Sequence, residues 1–146
     1  MLDGRVVIVT GGGRGLGRSH ALELAAHGAS VVVNDVGVDL RGEATADGPA
    51  GDVVGEIEAA GGRAMPDTTS VTDFNGMRTL VERTVDAFGR LDGVVNNAGI
   101  VRDKMLTGMT EDDFDLVLSV HLKGTFNLTR HAGEHWRSVA RAGGEV

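Results

Sequence analysis

Thr10-Gly11-Gly12-Gly13-Arg14-Gly15-Leu16-Gly17 stands between an apolar run, Val6-Val7-Ile8-Val9, and a stretch of helical periodicity. Glycines at 11, 15 and 17 allow the chain to turn sharply off a strand, and they allow a ligand to come close to the backbone. A helix opening near Gly15 aims free N–H groups and the positive end of its dipole at whatever sits on the loop, and a diphosphate suits that place. A glycine string alone is weak evidence. Here strand, loop and helix follow in order, and Asp35 closes a second apolar run, Val31-Val32-Val33-Asn34-Asp35. That carboxylate lies about 20 residues past Gly15, the separation that lets it meet the hydroxyls of an adenosine ribose.

The rest of the chain alternates in the same way. Arg5–Thr10 and Ser30–Asp35 read as strands, and the valine run of the second is that of a strand covered on both faces. Leu16–His27 reads as a helix ended by Gly28, and Ala50–Ala60 as a helix stopped by Gly61-Gly62. Val36–Pro49 reads as a long loop and Arg63–Ser70 as a weaker third strand. Over Asp73–Phe88, Met77, Leu80, Val81, Val85 and Phe88 share one helical face, and Gly89 ends the helix. Leu91–Asn96 is a fourth strand, leading into Asn97-Ala98-Gly99. Thr110 then caps a helix, with Asp113 in a near-capping-box arrangement, running through Phe114, Leu118 and Leu122 toward Trp136. Gly124 and Gly133 are candidate irregularities, and Ala142–Val146 reads as a turn. Regular alternation of this kind implies an α/β fold, a parallel sheet with helices on both faces.

Composition sets limits. The 146 residues make one ordinary domain, and with aromatics at 3% the core rests on Val, Leu, Ile and Ala. A net charge of −7 and a pI of about 5.1 argue against nucleic-acid binding. The absence of cysteine excludes disulfides and thiolate metal sites. No apolar run approaches the roughly 20 residues of a membrane span. The expectation is a cytoplasmic protein with no membrane or nucleic-acid partner.

Thr10-Gly11-x-x-x-Gly15-x-Gly17, Asp35 and Asn96-Asn97-Ala98-Gly99 together resemble the short-chain dehydrogenase/reductase family. The resemblance runs over the whole chain but only the first part of a complete family member. Val33-Asn34-Asp35, Ile100–Met105 and Val120–Gly124 further resemble its (3R)-hydroxyacyl-CoA dehydrogenase branch, found in multifunctional enzymes type 2 and bacterial relatives. The resemblance implies a Rossmann-type doubly wound sheet, truncated after the fourth strand and its following helix. It implies that Gly11, Arg14, Gly15, Leu16 and Gly17 line the diphosphate and that Asp35 holds the adenosine ribose. Ser70 and Val71 then lie beside the adenine, and Asn97, Ala98 and Gly99 pass under the nicotinamide ribose. Asn97 also ties the fourth strand to its neighbours.

Two departures stand out. Ser70 replaces an acidic residue common in the family, which points to a main-chain adenine contact. His121 stands where most members have the asparagine that helps order a proton-relay water, and it is the one catalytic candidate. Asp35 repels a 2′-phosphate and so favours NAD, while Arg14 pulls toward NADP; the carboxylate stands where the phosphate must go, and NAD is the expected cofactor.

Family chemistry needs a serine, a tyrosine and a lysine one helical turn beyond, which brings the tyrosine pKa down from about 10. The chain has no tyrosine, and its only lysines are Lys104 and Lys123. Residues 1–146 therefore read as the dinucleotide-binding part of one domain whose catalytic part is absent. The isolated chain is expected to lack dehydrogenase activity, to fold poorly, and to belong to a homo-oligomer acting on a small-molecule substrate when complete. A non-catalytic nucleotide-binding or interaction module is the alternative. His131-Ala132-Gly133-Glu134-His135 also matches the H-x-x-E-H zinc-peptidase pattern. Against it, Gly133 weakens the helix, a third ligand is wanting, and both histidines read as polar residues on a solvated face; no metal is expected. Glu111, Asp112 and Asp113 read as helix N-terminal acids and Arg102, Asp103 and Lys104 as a loop.

Overall fold

Val6–Thr10 form β1, the strand on which the sheet is centred, because five consecutive β-prone side chains can be buried on both faces at once. The computed structural model describes residues 1–37 and 48–146; most of the loop expected over Val36–Pro49 lies in 38–47, outside the described residues. Helix α1 (Gly15–Ala26) leads to β2 (Ser30–Asn34), and α2 (Gly48–Ala59) leads to β3 (Arg63–Asp67). Helix α3 (Phe74–Phe88) precedes β4 (Gly93–Val95), after which come α4 (Glu111–Leu118) and α5 (Gly124–Arg141). The sheet is parallel throughout, in the order β3-β2-β1-β4.

Alternation along the strands divides the core. Val7, Val9, Val31 and Val33 pack with Ala21 of α1 and Val53, Val54 and Ile57 of α2. Ile8 and Val32 face the other way, onto Met77, Leu80 and Val81 of α3 and Leu128 and Ala132 of α5. Helices thus cover both faces, and the core is aliphatic, as the composition requires.

Three elements differ from the sequence expectation. β3 stops at Asp67 rather than Ser70, because Pro66 cannot donate to a ladder and the Asp67 carboxylate takes the Thr69 N–H, turning the chain. β4 is limited to three residues. The long helix after Thr110 is broken: a short 3₁₀ turn, Leu106–Gly108, precedes it, and a π-helical turn, Ser119–Lys123, separates α4 from α5. Gly124 directly follows that break. A Cβ there would lie 2.7 Å from Cγ2 of Val71, so the helix reaches its neighbour only at a residue without one. Gly133 causes no irregularity in α5.

Candidate functional site

The chain lays down β2 and β3 on one side of β1, then crosses to place β4 on the other. Ligands of such sheets bind at the crevice where the order reverses, outside the carboxyl ends of the strands. The two loops that meet there are Thr10–Gly17 and Asn97–Gly99. Thr10, buried at the end of β1, accepts both the Asn97 and Ala98 N–H groups on its Oγ1, each at 3.1 Å. The Asn97 side chain donates to the Thr10 and Gly11 carbonyls at 3.0 and 3.1 Å. Asn97 therefore ties β4 to β1, as expected. Thr10 had no role in the sequence reading, although it opens the glycine motif; its signal is a hydroxyl placed at a strand's last residue.

The glycines divide the work. Gly17 is buried, and a Cβ there would overlap the Gly11 carbonyl oxygen, so α1 can reach the loop only through glycine. Gly15, at φ +52°, has nothing within 4 Å of where its Cβ would be. The helix opens beside that space, preceded by Arg14, whose side chain has no acceptor with which to cap the first N–H groups. Leu16 is exposed next to it. An anion fits this arrangement on its chemistry alone.

Asp35 lies just past β2, half-buried. Its Oδ2 accepts from the Gly13 N–H at 3.1 Å and its Oδ1 from the Gly37 N–H at 3.0 Å. A Cβ on Gly13 would sit 2.9 Å from that carboxylate and 2.7 Å from Pro49. The carboxylate is thus fixed at the rim of the loop. Ser70 and Val71 follow β3, with Val71 buried, its carbonyl accepting from Asn127 at 2.8 Å.

His121 belongs to the π-helical turn and lies against the Asn97–Gly99 loop. Its Nε2 is 3.0 Å from the Ile100 nitrogen and 2.8 Å from the Ile100 oxygen, and a Cβ on Gly99 would be 2.6 Å from its ring. Asp113 completes a full capping box with Thr110 and also binds Lys104 Nζ at 2.5 Å. Hydrogen bonds from Lys104 and from the Thr110 side chain and N–H hold its carboxyl well below the usual carboxylate range. Asp113 therefore serves the end of α4, as its position suggests, with Glu111 and Asp112 beside it in the first turn.

The two histidines of the zinc pattern do not share a solvated face. His131 is buried rather than on a solvated face; its ring packs against Phe74 and its Nε2 bonds the Phe74 carbonyl at 2.9 Å. The α3 surface opposite, invisible in a local motif, draws it inward. Among the described residues no group of three or more His, Cys, Asp or Glu could hold a metal, and no helix is long and apolar enough to cross a membrane.

Sheet order, glycine loop and Asp35 together define a doubly wound α/β protein of the nucleotide-binding class. The short chain dehydrogenase family profile matches residues 5–146, and the chain belongs to that family of oxidoreductases. It is 46% identical to mouse peroxisomal multifunctional enzyme type 2, over 92% of this chain and 18% of that protein. It is also 46% identical to the hydroxyacyl-CoA dehydrogenase ChsB1 of Mycobacterium tuberculosis, covering 99% of this chain and 45% of that one. A short chain dehydrogenase structure from Mycobacterium avium superposes with TM-score 0.93 at 52% identity, over 99% of this chain and 50% of that chain. One from Burkholderia cenocepacia, in complex with NADP, gives 0.81 at 39% identity, over 92% and 51%. The chain thus spans about half or less of each of these relatives. The family uses NAD or NADP and acts on small molecules.

Proposed function

We propose that this chain is the N-terminal, dinucleotide-binding part of a single short-chain dehydrogenase domain, selective for NAD. The complete protein would interconvert a secondary alcohol and a ketone of the 3-hydroxyacyl-CoA or steroid-like class and act as a homo-oligomer. The observation that carries the cofactor choice is the Asp35 carboxylate, held on both oxygens by backbone N–H groups. A carboxylate so fixed cannot rotate aside for a 2′-phosphate, and it keeps lone pairs for two ribose hydroxyls. The names of the multifunctional-enzyme and hydroxyacyl-CoA relatives support the substrate class.

A bound nicotinamide dinucleotide supplies a centre that takes or gives a hydride. Gly11, Arg14, Gly15, Leu16 and Gly17 hold its diphosphate, Asp35 its adenosine ribose, and Ser70 and Val71 its base. Asn97, Ala98 and Gly99 let the backbone approach the second ribose. His121 holds the Gly99–Ile100 turn through Nε2, which leaves Nδ1 as the ring nitrogen that would exchange a proton with water. The sequence contains no tyrosine to protonate or deprotonate a substrate oxygen, an observation that favours binding without turnover for this chain by itself.

Titration of the purified chain with NAD and NADP, alongside a turnover assay with a 3-hydroxyacyl-CoA, tests the reading. NAD should bind at least about tenfold more tightly, or about 1.4 kcal/mol, with no turnover. Tighter binding of NADP would overturn the cofactor assignment, and turnover would overturn the division of labour.

A further inference from the structure

Asp67 is the last residue of β3, and its carboxylate is 1% exposed. Burying a carboxylate costs far more than burying an apolar side chain of the same volume. Here four donors meet it: Asn34 Nδ2 at 2.7 Å, the Thr69 N–H at 2.8 Å, Thr69 Oγ1 at 3.2 Å and Arg83 Nη1 of α3 at 2.8 Å. The arrangement spans two binding segments. On one side, Asn34 precedes the ribose carboxylate, and the Asp35 N–H donates to the Asp67 carbonyl at 2.9 Å. On the other, the chain continues directly into Thr69-Ser70-Val71.

That second segment is pinned at every carbonyl. Thr69 O accepts from Asn34 Nδ2 at 2.8 Å, Ser70 O from the Asp73 N–H at 3.0 Å, and Val71 O from Asn127 at 2.8 Å. Its place in the sheet gives it a ligand. With phosphates over the β1 loop and a ribose at the end of β2, the base of the same nucleoside is carried outward, over the end of β3. We propose that Asp67, paired with Arg83, is a positioning and specificity-determining residue that fixes Thr69–Val71 as a rigid edge against that base. The inference rests on the dinucleotide reading above.

A rigid edge discriminates between bases; a loose one adapts. Adenine offers an acceptor at N1 and a donor at N6, while hypoxanthine reverses both, so an edge of either hydrogen-bonding sense separates them. The test compares NAD with nicotinamide hypoxanthine dinucleotide by calorimetric titration of the full chain. The unsubstituted protein should prefer NAD by about fivefold or more, the effect of one neutral hydrogen bond. Asp67→Asn and Arg83→Gln should bring the ratio close to one, and Arg83→Lys should keep most of it. A purely structural role would weaken both ligands in proportion and leave the ratio alone. Arg83 is half-exposed, so its variants remain informative if Asp67→Asn fails to fold. An unchanged ratio in Arg83→Gln, or no base preference in the unsubstituted chain, overturns the proposal alone. Binding of neither dinucleotide overturns the functional reading with it.

Discussion

Gly15 and Gly17 lie two residues apart and are glycine for opposite reasons. At Gly17 the obstacle is protein: a methyl group would overlap the Gly11 carbonyl oxygen, and either α1 or the loop must move. At Gly15 the protein leaves room, and the constraints are φ +52° and the space itself. Gly17→Ala should therefore lower stability by about 2–3 kcal/mol, the range of a strained or overpacked buried position, and abolish dinucleotide binding with it. Gly15→Ala should lose only about 1 kcal/mol, the cost of a left-handed backbone for a residue with a Cβ. Its methyl would still fill the ligand's space and weaken binding at least tenfold. Chemical denaturation and NAD titration of the two variants separate these effects; equal stability losses would show that the loop yields freely at Gly17.

At the scale of elements, β4 is the strand with the least of its own to hold it. Three residues pair with β1, and the rest of the attachment comes from Asp92 just before it. The Asp92 carboxylate accepts from Arg5 Nη1 at 2.7 Å, Arg90 Nε at 2.8 Å and the Val6 N–H at 2.8 Å. Burial by itself would raise its pKa; hydrogen bonds from Arg90, Arg5 and Val6 outweigh that and lower it. A carboxylate lowered in the folded state stabilises fully above its unfolded value, about 3.9, and the contribution disappears as pH falls through the folded value. Melting temperature should fall below about pH 4, and Asp92→Asn should lower it at pH 7 and flatten the acid limb. Asp113 and Glu134, also lowered, leave a residual slope, and salt reduces the share of Glu134, which is exposed to screening. An acid limb as steep in the variant as in the parent would rule out the bracket.

The same elements show what a sequence carries and what it conceals. Asp73, whose side chain accepts from the Gly76 N–H, and Gly89, at φ +82°, mark the two ends of α3 locally, and the apolar period between them fixes the buried face. The glycine loop is legible because its strand, turn and helix are contiguous. The clamp on Asp35, the Asp67 network and the burial of His131 are not, because their partners are brought in by strand order and helix packing. The need for glycine at 124 is concealed for a related reason: Val71, distant in sequence, is what a Cβ there would meet.

For the molecule as a whole, the face that α4 and α5 leave uncovered is the dominant surface feature. Phe114, Leu118, Leu122 and Phe126 recur every fourth residue, and all are exposed, Leu122 at 68%. Continuous periodicity would normally bury such a stripe, and here it runs across the π-helical turn that joins the two helices. An apolar surface of this kind drives association in water. The chain should therefore self-associate with rising concentration in sedimentation velocity. Leu122→Glu with Phe126→Glu should shift it toward monomer without lowering its melting temperature by more than about 1 kcal/mol equivalent, since both positions are solvent-facing. Phe126 lies 6.3 Å from Phe74, ring centroid to centroid, so loss of that stacking is the largest packing penalty anticipated. A parent chain that stays monomeric at high concentration would mean that the stripe is tolerated as surface. A double variant that associates as strongly as the parent would assign the contact to another face, with the unpaired side of β4 at the edge of the sheet the next to test.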